Sequence, residues 1–367
     1  MDYIKNEKSD LLKEIQELIN MQFLNIKQLP KSGSSGNKIY LFDFKNNDKM
    51  YALKIAQISR VLLCEEKKRN QLLKKYLPKH VPSVIFCKTV SNHQIMISEC
   101  PGEYTLHNAI VYGIKPHSEL LNIWVDILDE IYELWRNSKI ESFSQKNNLR
   151  NYQDRFNRIK DGVLNYKFIS EGITLQNYSD YIIQVNGTDY CSLTELFDYL
   201  ENMDEPSFSV FCHGDVQPTN IVISEDNNWY FVDWEWVGNG YDWRMMFAHI
   251  FGWWGTRMTN MKSNPTIKIQ NQRIVIEIDE IISDFIYEYQ TIAISLFHKM
   301  TDKNSIRTDI RAINKYLSLL YLGDIRFLHI WNREHCGALL LSNAVRVISA
   351  NKTINKKNDI YYIYNSR

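Results

Sequence analysis

The sequence predicts an α+β chain in two parts, a small antiparallel β-sheet followed by a larger, mostly helical region. Three observations carry this. The first hundred residues or so alternate short apolar runs with turn residues. Further on, apolar residues recur at helical spacing, as in Leu121, Trp124, Val125, Leu128, Ile131, Leu134 and Trp135. A dense polar motif at residues 211–236 then interrupts the helical pattern with short apolar runs.

Residues 7–21 read as an amphipathic helix, with Leu11, Leu12, Ile15, Leu18 and Ile19 on one face. Strands follow around Ile39, Leu41 and Tyr51 to Ile55, with Asn46, Asn47 and Asp48 as a turn between two of them. A helix is expected from about Val61 to Leu77, stopped by Pro78. Ser83 to Val90 and Gln94 to Glu99 complete a five-stranded antiparallel sheet. Residues 99–104 read as a linker. The stretch 140–205 is polar and rich in Tyr and Asn, predicting short helices and loops, and 208–236 switches to short strands. Helices are expected over roughly 243–254, 275–299, 306–328 and 333–350. The implied organisation is a small sheet part over 1–99, a larger helical part over 100–350, and a polar tail over 351–367.

The 367 residues, 44% of them hydrophobic, suffice for two joined domains with real cores. The 43 basic and 43 acidic side chains cancel, which argues against a nucleic-acid or membrane-surface partner. No 18-residue apolar run is present, so no membrane insertion is expected. The charged N-terminus lacks the apolar stretch of a signal peptide. Six cysteines without a CxxC pair argue against a zinc knuckle and for reduced thiols. A cytoplasmic monomer or homodimer is the expectation.

Asp215 and Asn220 lie five residues apart, and Asp233 follows thirteen residues later across an expected hairpin. Phosphoryl transfer needs a group that orients the acceptor hydroxyl and takes its proton, a task that suits Asp215. It also needs hard oxygen ligands for Mg²⁺, which Asn220 and Asp233 provide. His213-Gly214-Asp215 with Asn220 matches the spacing of the protein-kinase catalytic loop, with Gly214 in place of its arginine. His213 is read as structural. Residues 234–244 are too few for a long activation segment, and no Ala-Pro-Glu motif follows, which favours a small acceptor over a protein.

Lys54 points to the sheet face opposite Leu53 and Ile55, where it could reach nucleotide phosphates. Glu66, or its neighbour Glu65, would hold it from the following helix. Gly33, Ser34, Ser35 and Gly36 sit between two strands rather than ahead of a helix, so they are no Walker A loop. Their backbone could still approach phosphate closely.

The chain resembles the aminoglycoside phosphotransferase and choline-kinase-like family, within the protein-kinase-like superfamily. The resemblance rests on HGDVQPTN at 213–220 and VDWEW at 232–236, with YALKI at 51–55 and the stretch 97–106 in support. It spans about residues 22–340 and implies a bilobal kinase-like fold. It further implies ATP, or GTP in its place, and Mg²⁺ as cofactors, with a small-molecule hydroxyl as acceptor. Asp215 would be the base and Asn220 and Asp233 the metal ligands. Lys54 with Glu66 would grip phosphate, and Glu99 and Cys100 would meet adenine through their backbone. Glu235 would lie near the second metal or the acceptor. Asp242 is an imperfect match to a further conserved aspartate of the family.

Trp234, Trp236, Tyr241, Trp243, Trp253 and Trp254 could hold a sugar or a cationic acceptor, with Glu235 and Asp242 pairing an amine. The bland reading makes the same tryptophans core. Alternative functions are an atypical protein kinase and a catalytically inactive pseudokinase that keeps only the fold.

Overall fold

The structure, a computed structural model, describes residues 2–29, 37–45, 49–58, 62–141, 152–168, 172–257, 260–281, 284–329 and 333–350. The Gly33 to Gly36 turn, the Asn46 to Asp48 turn and the 351–367 tail lie outside them. The chain divides into two compact units, Met1–Ile123 with Pro218–Gly238, and Trp124–Gln217 with Asn239–Arg367.

The first unit opens with α1 (Asp2–Ile19), β1 (Phe23–Gln28), β2 (Lys38–Phe44), β3 (Met50–Gln57), α2 (Leu63–Tyr76), β4 (Val84–Val90) and β5 (His93–Glu99). The strands form one antiparallel sheet in the order β1-β2-β3-β5-β4. Period-two alternation along β3 buries Tyr51, Leu53 and Ile55 on one face. There they join Phe23, Phe42, Phe44, Ile95 and Ile97, and Ile15 of α1 closes the layer with Leu11, Leu12 and Ile19 beside it. Phe23 and Phe42 stand 4.2 Å apart and Phe44 and Tyr51 4.6 Å apart, so aromatic contact adds to the apolar burial. The alternation leaves Lys54 on the other face of the sheet.

The chain continues through β6 (Tyr104–Thr105), α3 (Leu106–Val111) and α4 (His117–Asn137). The Thr105 hydroxyl caps α3 by accepting from the Asn108 amide at 3.1 Å. In the second unit come α5 (Tyr152–Leu164), β7 (Lys167–Phe168), β8 (Ile173–Thr174), β9 (Ile182–Val185), β10 (Thr188–Ser192), α6 (Leu193–Glu201) and β11 (Ser209–Cys212). The chain then returns to the first unit for β12 (Ile221–Ile223) and β13 (Trp229–Phe231). It ends with β14 (Gly238–Asp242), α7 (Trp243–Arg257), β15 (Asn260–Met261), β16 (Thr266–Gln270), β17 (Arg273–Glu277), β18 (Glu280–Ile281), α8 (Asp284–Met300), α9 (Ile306–Ile325) and α10 (Gly337–Ala350).

Two expectations need correction. The helix expected over 275–299 starts at Asp284, because residues up to Glu277 belong to β17. The polar stretch before residue 205 is not only helices and loops. It contributes β9 and β10 to a four-stranded sheet, β10-β9-β17-β16. Both of its hairpins turn on two residues with positive φ, Asn186-Gly187 and Asn271-Gln272. That is the backbone twist a two-residue hairpin demands. The second unit's core is helical: α9 buries residues around most of its circumference, as a central helix does.

The linker after β5 takes part in regular structure. Tyr104 and Thr105 pair with Ile223 and Val222, so β6 joins the β12–β13 hairpin in a three-stranded sheet. Gly102 makes this possible, since a Cβ there would lie 2.0 Å from the Ile223 carbonyl oxygen. Gly102→Ala is expected to cost about 1–3 kcal/mol in urea unfolding. An unchanged midpoint would contradict the close approach.

Candidate phosphate and acceptor sites

In the first unit, Lys54 on β3 meets two carboxylates. Its Nζ lies 3.0 and 2.9 Å from Glu66 Oε1 and Oε2, and 2.9 Å from Asp233 Oδ1. Glu66 comes from the first turn of α2 and Asp233 from just beyond β13. Lys54 and Glu66 are largely withdrawn from solvent, whereas the Asp233 side chain remains 45% exposed. Burial alone would pull the lysine down, but the charges of Asp233 and Glu66 outweigh it and hold the ammonium well above the usual lysine range. Burial acts the other way on Glu66 and raises its carboxyl against the pull of Lys54. Glu65, the other candidate partner, turns to solvent and pairs with Lys68 at 2.6 Å.

Asn220 ends a short 3₁₀ turn, Pro218–Asn220, and opens β12. Its carbonyl accepts from the Val232 amide at 3.0 Å, one step beyond the Ile221–Phe231 pair. That bond brings Asn220 and Asp233 to the same end of the hairpin. Asp233 itself adopts a left-handed backbone, φ 64°, which Asp tolerates better than most side chains. Two residues with oxygen-bearing side chains thus share one hairpin end, Asp233 in contact with Lys54, and such oxygen donors are of the kind Mg²⁺ takes. Arg69 of α2 donates to the Glu235 carbonyl and ties the residues after Asp233 back to the helix of Glu66.

The Glu99 and Cys100 amides donate to the Ser83 and Met50 carbonyls at 3.0 and 2.9 Å. A base meeting these two residues would therefore use their carbonyl oxygens. A cleft of about 1020 Å³ is lined by Met50, Glu99, Cys100, Pro101, Tyr104 and Ile223 among others. Lys54, Glu66, Asn220 and Asp233 are not among its walls.

In the second unit, Asp215 follows β11 through Gly214, whose φ of 81° explains glycine where the kinase loop carries arginine. His213 is buried. The Asp215 Oδ2 accepts from Gln217 Nε2 at 2.9 Å, and Oδ1 lies 4.0 Å from His249 Nδ1. His249 could not be assigned a role from sequence, because α7 and the loop after β11 meet only through tertiary packing, and Gln217, two residues from Asp215, carried no distinguishing signal.

Asp242 is not available to an acceptor. It is 1% exposed and receives Arg244 Nε at 3.0 Å and Nη2 at 2.8 Å, with the Tyr316 hydroxyl also at 2.8 Å. Burial first, and then the Asp242 charge, keep that tyrosine protonated. The aromatic residues after the motif are mainly core. Trp234, Tyr241, Trp243, Trp253 and Trp254 are buried, and Trp254 packs on Trp124 at 5.4 Å and Tyr289 at 4.4 Å. The cationic-acceptor expectation loses these supports. Glu235 and Trp236 are only partly buried.

No protein-family model and no curated protein matches the sequence. Solved structures do. The choline kinase LicA from Streptococcus pneumoniae is 14% identical over 94% of this chain and 99% of that one, with a TM-score of 0.50. The Plasmodium vivax ethanolamine kinase is 13% identical over 90% and 82%, with a TM-score of 0.48. An aminoglycoside-3'-phosphotransferase of type VIII is 14% identical over 83% and 98%, also at 0.48. The choline kinase comparison shows a shared kinase-like α+β fold, with an antiparallel N-terminal sheet and a helical C-terminal region.

Asp242→Asn is expected to destabilise the protein by up to about 3–5 kcal/mol in urea unfolding, because it removes the nearer of the two carboxylates that face the buried Arg244 and leaves Asp309 at 3.6 Å. A loss below about 1 kcal/mol would mean that the pair is not structural.

Proposed function

We propose that this protein is an ATP- and Mg²⁺-dependent phosphotransferase that moves the γ-phosphate to a hydroxyl of a small molecule. The observation that carries the reading is the buried lysine held between Glu66 and Asp233, with Asn220 at the same hairpin end. A cation fixed on the sheet beside two oxygen donors is the arrangement that nucleotide phosphates need. The fold shared with a choline kinase supports it.

In this reading Lys54 binds phosphate oxygens and Glu66 keeps its ammonium in place. Asn220 and Asp233 hold Mg²⁺, which when bound supplies positive charge against the developing charge on the transferred group. Asp215 accepts the proton of the acceptor hydroxyl and orients its oxygen. Glu99 and Cys100 border the base through their carbonyls. Gly33, Ser34, Ser35 and Gly36 would offer backbone amides to phosphate. Glu235 is kept as a residue near the second metal or the acceptor, while Asp242 has no part in binding. GTP is the alternative phosphate donor in this reading.

The test is transfer of labelled γ-phosphate from ATP to a panel of aminoglycosides, amino alcohols, sugars, nucleosides and proteins. Label should move to one small hydroxyl compound, and Asp215→Asn should lower kcat by about 10²–10⁴-fold while ATP still binds. Transfer to protein alone would favour an atypical protein kinase. ATP binding with no transfer to any acceptor would favour a pseudokinase.

A further inference from the structure

Asp215 sits in a polar setting that its proposed role does not by itself explain. One carboxylate oxygen is held by Gln217 Nε2 at 2.9 Å. The other faces Nδ1 of His249, a nearly buried ring on α7, at 4.0 Å. The opposite ring nitrogen, Nε2, lies 3.1 Å from Nη1 of Arg155 on α5. An arginine carries only donors and does not lose its proton in a protein. Nε2 must therefore offer its lone pair, which leaves the ring proton on Nδ1. Adding a second proton would turn an imidazolium N–H against a guanidinium N–H, so the ring is held neutral.

We infer that His249 is a positioning residue for Asp215, kept by Arg155 as the neutral tautomer that presents Nδ1–H to the carboxylate. The inference rests on the reading of Asp215 as the base. A neutral donor orients the carboxylate without setting a full positive charge against the proton it is to take. Gln217 and His249 then address one oxygen each, which fixes the plane of the carboxylate. At 4.0 Å the His249 contact is longer than a hydrogen bond. Such contacts around a catalytic group commonly tighten when the substrate binds.

Long-range ¹H–¹⁵N spectra of the full chain at neutral pH read the tautomer directly, the His249 signal being the one lost in His249→Asn. The expected pattern is a protonated Nδ1 and an unprotonated Nε2, with that preference lost in Arg155→Met. A protonated Nε2, alone or together with Nδ1, would overturn the inference. The kinetic arm compares two variants on the acceptor that takes phosphate. His249→Asn places an amide N–H near the Nδ1 position and should stay within about threefold of the native kcat. His249→Leu should lose about tenfold or more in kcat with KM for ATP unchanged. Equal losses in the two variants, or a change in KM for ATP alone, would refute a positioning role. If no phosphate moves to any acceptor, the kinase reading fails, and the spectra still decide the tautomer.

Discussion

The first unit is organised around one buried charge. An ammonium withdrawn from water costs several kcal/mol unless opposite charges replace its hydration. Lys54 has two such partners, and they come from different parts of the sequence. Glu66 ties β3 to α2, and Asp233 ties β3 to a hairpin about 180 residues further along. The apolar packing of Ile15, Phe23 and Phe42 against Leu53 and Ile55 fixes one face of β3 in the core and leaves Lys54 on the other. The balance of charges has a chemical consequence: the neighbouring carboxylates hold the lysine above its usual range, and it remains a fixed cation.

The hairpin that brings Asp233 to the lysine depends in turn on the linker. Without β6, β12 and β13 would be a short two-stranded ribbon, which is marginal by itself. Pairing with Tyr104 and Thr105 gives it a third strand, and Gly102 lets the linker backbone approach Ile223 closely enough for that pairing. The left-handed backbone at Asp233 is one of the sparsely populated conformations that often accompany functional positions.

Much of this was legible in the sequence, and the failures have physical causes. The alternation through Tyr51, Leu53 and Ile55 identified the sheet face of Lys54, because period two is a local property. The choice between Glu65 and Glu66 was not local; it depends on the rotation of α2 against the sheet. The Asn186-Gly187 turn carried a readable hairpin signal, masked by the polar residues around it. Asn271-Gln272 was harder, since Gln rarely marks such a turn and the apolar run of β17 leads almost directly into α8. Asp242 misled because a carboxylate near a catalytic motif looks functional. Its partners, Arg244 and Tyr316, lie two and 74 residues away, and only the fold shows that they enclose it. The tryptophans show the same limit, since core and binding-site aromatics read alike until burial is known.

The most direct measurement is calorimetric titration of ATP into the protein with and without Mg²⁺, repeated on Asp233→Asn. If Lys54, Asn220 and Asp233 form the nucleotide phosphate site, native binding strengthens with Mg²⁺ and the variant loses that dependence. ATP binding that is equal with and without Mg²⁺, and unaltered by the substitution, would contradict the account.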